Sequence, residues 1–288
     1  MAEMSSRPPG VSMDASAVAQ IELDLLLEAI FRRHGHDFRS YARASVERRV
    51  AAFVASKGYA RISDLTADVL HDEARFAELT QTLSITVTEM FRDPYVFAAL
   101  REAVFPVLRS WPRCRVWHAG CATGEEVYSL AILLHEAGLY DRSTIYATDF
   151  NDAALGVARR GIYDAGRMRE YAQSYREAGG AKTLGDYYLA NYGSVAMSGA
   201  LKQNLTFASH NLALDGVFGE MHLIVCRNVL IYFDRELQDR VFSLFADSLV
   251  RGGYLCLGSK EDLQFSSAAS RFELVDREAR IYRRVADR

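Results

Sequence analysis

The sequence predicts a small N-terminal helical bundle followed by an α/β domain, whose mostly parallel sheet is covered on both faces and carries a small β insertion. Three observations point there. Apolar residues recur at helical spacing from Ser16 to about Leu83, with no glycine-rich loop among them. From Cys114 onward, short strand-forming runs alternate with helical stretches, the pattern of parallel strands joined by crossover helices. Between Gly161 and Gln203 that alternation breaks into a Tyr-rich stretch punctuated by glycine.

In the first helix Val18, Ile21, Leu25, Ala29 and Phe31 fall near helical spacing, and Leu23, Leu26, Leu27 and Ile30 widen the apolar stripe. His34-Gly35-His36 ends it. A second helix is expected over 38–57, closed by Gly58 as a C-terminal cap, with shorter ones over 62–70 and 72–83. In the α/β part, strands are expected at 115–118, 144–148, 205–208, 222–226 and 254–257. Helices are expected at 124–137, 152–160 and 235–250. Residues 253–257 and 279–283 read as an antiparallel hairpin at the sheet edge. The stretch containing DYYLANYGSVAMSGALK reads as an inserted antiparallel β-unit at about 180–204. The expected division is 14–84 for the helical domain, 85–112 for a linker and helix carrying TVTEMFRD, and 113–288 for the α/β domain.

Composition excludes several classes. A chain of 288 residues, half apolar and a quarter charged, has room for one large or two ordinary domains with a sizeable core. A net charge of −3 argues against an obligate nucleic-acid binder. No apolar run approaches the ~18 residues of a membrane span. Cys114, Cys121, Cys226 and Cys256 lie far apart without a CxxC pair, which fits buried, reduced thiols in the cytoplasm. The opening MAEMSSRPPG lacks a signal peptide's apolar core and reads as a frayed tail. Seven scattered histidines show no HxxxH spacing, so no metal is expected.

The strongest local signal is RVWHAGCATGEEVYSLAILL, a strand running into Gly120-x-x-x-Gly124 and then a helix that begins Glu125-Glu126. The glycines let backbone approach a ligand, and the helix start brings free N–H groups to it. Two carboxylates there would repel a pyrophosphate and welcome a cationic amine, which favours a ligand such as S-adenosylmethionine; they would equally complement the helix dipole. IYATDF puts Asp149 at the end of the next strand, where an acid accepts both ribose hydroxyls of a nucleoside cofactor or caps the helix that follows. LTFASHNL brings Asn211 to the same edge for the adenine edge, with Leu212 on its face. HLIVCRNVLIYFD brings Cys226-Arg227-Asn228 and then Tyr232; an apolar strand stopping in Cys-Arg-Asn buries polar groups that need a ligand or one another.

In their order behind a helical domain, TVTEMFRD, AGCATGEE, ATD, HNL and CRNVLIYFD resemble the CheR family over roughly residues 21–282. The resemblance implies an S-adenosylmethionine-dependent methyltransferase with a Rossmann-like class I sheet, which esterifies glutamate side chains of bacterial chemoreceptors. It implies catalytic roles for Arg92 and Tyr232. It places Thr86, Thr88, Arg92, Gly120, Glu125 or Glu126, Asp149, Asn211, Leu212, Arg227 and Asn228 around the cofactor. Three departures stand out: Thr86 replaces a frequent asparagine, Val127 a frequent proline, and Gly258-Ser259-Lys260-Glu261 the usual Gly-His-Ser-Glu. The inserted unit also lacks adjacent glycines in its expected hairpin, so recognition of the receptor through the helical domain is at least as plausible as docking of a receptor tail there.

Glutamate is ionised at neutral pH, so transfer to it needs no general base, in keeping with the lack of a Ser-His-Asp or Cys-His set. From Phe31 to Lys57 there are seven basic and two acidic residues, a local +5, and Arg39, Arg43, Arg48 and Arg49 are expected to steer acidic receptor helices. The expected state is a monomer without nucleic-acid or membrane partners. A non-catalytic cofactor sensor or scaffold, and a small-molecule carboxyl methyltransferase, are the competing readings.

Overall fold

The computed structural model describes residues 14–84 and 86–286; the tail read from MAEMSSRPPG lies outside them. The chain divides into two compact units, one ending at Leu83 and the other beginning at Ser84.

The first unit comprises α1 (Ala15–His34), α2 (Arg43–Lys57), α3 (Ile62–His71) and α4 (Glu73–Leu83). Asp14 caps α1 by accepting the Ala17 N–H at 2.7 Å, and left-handed Gly35 closes it. α1 packs on α3 and α2 on α4. The buried face of α1 is Leu23, Leu26, Leu27 and Ile30, whereas Val18, Ile21 and Leu25 of the expected stripe are exposed at 45%, 45% and 61%. α2 starts later than residue 38 because Asp37 accepts the Arg39 N–H and Tyr41 N–H bonds Phe38 O, which commits this stretch to a turn.

Half of the basic face is neutralised. Arg39 pairs with Asp37 and Glu28 and lies 3.8 Å from the Phe31 ring centroid. Arg43 pairs with Asp24 and Glu47, and Arg49 reaches Ser45 Oγ and Thr82 O. Of the four, Arg48 is exposed with no ion pair among the described residues. The neutralising Asp24 and Glu28 belong to α1, outside the basic run, so the local +5 overstates the positive charge around Arg39 and Arg43.

The second unit opens with irregular backbone carrying TVTEMFRD, not a helix. α5 (Pro94–Ala99), a π-turn at Leu100–Val104 and α6 (Phe105–Leu108) follow. Then come β1 (Cys114–Ala119), α7 (Glu125–Glu136), β2 (Ser143–Asp149), α8 (Asp152–Arg160), β3 (Ile162–Asp164), α9 (Met168–Glu177), β4 (Tyr188–Asn191) and β5 (Ser194–Met197). The last elements are β6 (Leu205–Ser209), β7 (Met221–Cys226), α10 (Arg235–Ser248), β8 (Leu249–Leu257), β9 (Phe272–Asp276) and β10 (Ile281–Arg284). The main sheet runs β6-β2-β1-β7-β8-β10-β9, parallel as far as β8 and antiparallel beyond. Val116, Ile145, Leu223 and Val225 share one core with Leu130 and Leu134 of α7.

Two expectations need correction. β10 is not the edge: β9 pairs outside it and takes that place. The inserted β-unit starts before residue 180, because β3 joins β5 and β4 in a separate antiparallel sheet ordered β3-β5-β4, with α9 between. All four cysteines are buried and free. Burial pushes their thiol pKa values up, that of Cys256 to about 12. No helix among the described residues is long and apolar enough to cross a membrane, and none of their side-chain clusters could hold a metal ion.

Candidate active site

Strand order reverses between β1 and β7, and the carboxyl ends of parallel strands at such a point form a ligand crevice. β1 is followed by Gly120, in the left-handed region at φ +72°. The Gly120 and Cys121 N–H groups both donate to Thr148 O, tying this turn to β2. A Cβ on Gly120 would lie 2.5 Å from Val229 Cγ2, so side-chain absence is required twice over, by backbone and by space. Gly120→Ala is expected to cost about 3 kcal/mol in urea unfolding, and adding Val229→Ala to recover only the clash, about half of it. Full recovery in the double variant would show that the left-handed backbone is not constraining.

Gly124, also left-handed, starts α7 with its two acids. Glu125 is half-buried and accepts the Thr123 hydroxyl at 2.6 Å; burial raises its pKa. Glu126 is 5% exposed. Its Oε2 accepts Arg227 Nη1 at 2.9 Å, while Oε1 has no hydrogen bond and lies 3.3 Å from His118 Nε2. Burial alone would raise its pKa; the Arg227 charge, then His118 and Arg92, more than offset this and hold it below the ordinary value.

Asp149, at the end of β2, accepts the Asn151 N–H on one oxygen and the Ala122 N–H on the other, both at 2.9 Å, and burial raises its pKa. It therefore holds the glycine turn at the carboxyl end of β2. Asn211 follows β6; its Oδ1 accepts the Ala213 N–H in a local turn, and Leu212 is buried.

Arg227 follows β7 with its side chain almost wholly buried. Nη1 donates to Arg92 O and to Glu126, Nη2 donates to Asp93 Oδ2 at 2.6 Å, and Nε has no partner among the described residues. It is thus a clamp that joins the TVTEMFRD segment to α7, not a group open to a ligand. That segment is tightly specified. Phe91 and Asp93, on either side of Arg92, both sit in the left-handed region at φ +55° and +54°. Phe91 N–H donates to Ser129 Oγ of α7. Arg92 is partly buried and its guanidinium has no hydrogen bond or ion pair among the described residues. Thr86 and Thr88 are partly buried in irregular backbone, their hydroxyls without a hydrogen bond among the described residues.

Sequence reasoning missed Glu261. This carboxylate, 4% exposed, accepts four backbone N–H groups: Gly258 at 2.6 Å and Asn228 at 3.1 Å on one oxygen, Leu230 at 2.7 Å and Val229 at 2.8 Å on the other. Burial raises its pKa and the four donors offset part of that. It fixes the turn in which Asn228 sits at φ +60° with its Oδ1 buried and unpartnered. Half-buried Tyr232 follows in a short helical turn. His118, Asp93 and Ser129 were also missed. An acid beside Gly258 was visible in the sequence, but not the loop it would hold.

Residues 86–281 match the family described as CheR methyltransferase, SAM binding domain, and residues 21–84 match CheR methyltransferase, all-alpha domain. The chain belongs to the CheR methyltransferase family. It is 49% identical over 272 residues to "Putative methyltransferase Cher3" of Pseudomonas putida, which covers 94% of this chain and 100% of that protein. It is 31% identical over 252 residues to "Chemotaxis protein methyltransferase" of Listeria monocytogenes, which covers 85% of this chain and 92% of that one. As a CheR-type chain it has the Rossmann-like class I sheet and binds S-adenosylmethionine. The donor set fits that group. The buried oxygens without partners, Glu126 Oε1 and Asn228 Oδ1, and the carboxylates of Glu125 and Asp149 are acceptors suited to an ammonium and ribose hydroxyls, not to a phosphate.

Proposed function

We propose that this chain is a protein-glutamate O-methyltransferase acting in the cytoplasm on the helices of methyl-accepting chemotaxis receptors. The observation that carries the reading is Arg92: an unpaired guanidinium, locked between two left-handed residues, beside the acids that suit the cofactor. S-adenosylmethionine supplies an electrophilic methyl group on a sulfonium. Glu125 or Glu126 holds its amine, Asp149 its ribose and Asn211 with Leu212 its adenine, while Gly120, Thr86, Thr88 and Asn228 line the remaining contacts. Arg227 acts behind them as the clamp.

The acceptor carboxylate arrives ionised, so the chain has no proton to remove and works by alignment and exclusion of water. Arg92 holds one acceptor oxygen and leaves the other as nucleophile; a bidentate grip would blunt it. Tyr232 fixes the approach. The 31% identical relatives named as chemotaxis methyltransferases support the acceptor class.

The test incubates the protein with labelled S-adenosylmethionine and receptor-bearing membranes of its own host. Base-labile methyl esters on a receptor are expected. Arg92→Ala should lower their rate on the order of a hundredfold with cofactor affinity retained within a few-fold. Tight cofactor binding with no ester formed on any membrane protein would favour a sensor module instead.

A further inference from the structure

We propose that the amino edge of the main sheet carries a second binding site, for a small ligand bearing phosphate. An open cavity of about 570 Å³ lies there, walled by Arg113, Arg115, Asp141, Arg142, Thr144 and Tyr146 at the starts of β1 and β2. Three guanidiniums meet one carboxylate, and none of the three takes part in an ion pair among the described residues. Arg39, Arg43, Arg101, Arg167, Arg227 and Arg280, by contrast, are each matched to an acid. Arg142 is held in place by donating from Nη2 to Arg109 O at 3.1 Å, and its Nε is buried with no acceptor. A buried donor left unsatisfied beside an unneutralised positive cluster is costly in isolation and is satisfied by an anion.

Guanidinium forks match phosphate oxygens two at a time. The volume falls within the ~300–1,000 Å³ of small-molecule sites, too large for a lone inorganic ion. The Tyr146 ring, the Thr144 hydroxyl and the Asp141 carboxylate give the non-phosphate part of such a ligand an aromatic wall, a donor and an acceptor, the complement of a nucleoside phosphate. β1 separates this edge from the cofactor edge by about 20 Å, so both ligands bind together.

The test is calorimetric titration of the full chain with inorganic pyrophosphate and with ADP, S-adenosylhomocysteine being kept saturating so that the adenosine pocket is closed. Saturable one-to-one binding of at least one probe is expected. It should weaken about tenfold or more in Arg142→Gln, and in the Arg113→Ser/Arg115→Ser double variant, with S-adenosylhomocysteine affinity unchanged. The double variant changes two exposed side chains and guards against misfolding of the first. No saturable heat by about 10 mM of either probe, or equal binding in wild type and double variant, would overturn the proposal.

Discussion

Arg227→Met is expected to destabilise the second unit by about 3–5 kcal/mol and to remove methyl transfer. The methionine fills the space but leaves the Glu126 carboxylate buried without its partner, and it frees Arg92 O and Asp93, which hold the acceptor-side segment in its left-handed conformation. The loss should depend on pH in a defined direction. In the native chain Glu126 has a lowered pKa, so its contribution is present above the ordinary value of about 4.5 and is lost as pH falls through the lower folded one. Without Arg227, burial acts with only His118 and Arg92 to oppose it, the carboxyl is pushed up, and it takes a proton closer to neutrality. Urea unfolding of both proteins from about pH 8 to 5 should therefore show a gap that narrows on acidification. A gap constant across that range would mean that Glu126 is not the charge Arg227 neutralises.

The second large effect is expected at Glu261. Glu261→Gln sets an amide NH₂ against two backbone N–H donors whichever way it is flipped, since each carboxylate oxygen serves two of them. A cost of about 3 kcal/mol is expected, with cofactor affinity reduced as Asn228 relaxes from φ +60°. Lys260→Ser, one residue away and exposed, restores the commoner family residue and should change stability by less than about 0.5 kcal/mol. Thermal unfolding with and without S-adenosylhomocysteine separates the two effects. Equal behaviour of Glu261→Gln and Lys260→Ser would remove Glu261 from the positioning machinery.

The parallel half of the sheet was legible because strands buried on both faces read as continuous apolar runs, as MHLIVC does. β9 was not: FELVD is mostly exposed, and its place is set by pairing with β10, a contact no local pattern carries. The same divide runs through the site. Gly120 and Asp149 could be read because a turn and a strand end impose local demands. Glu261 could not, since its task exists only where two loops some thirty residues apart in sequence meet. Arg227 was read as part of the pocket wall, yet its partners Asp93 and Glu126 lie more than a hundred residues away and convert it into a clamp. Counting charge along one stretch failed for Arg39 and Arg43 because Glu28 and Asp24, which pair with them, lie in α1.

The sequestered sulfurs have a practical use. With every native thiol enclosed and shifted toward its neutral form, an electrophilic dye finds little thiolate to attack in the folded chain. A single cysteine introduced at an exposed position such as Phe265 therefore becomes a selective attachment point for a fluorophore or spin label, with no need to strip the natural ones first.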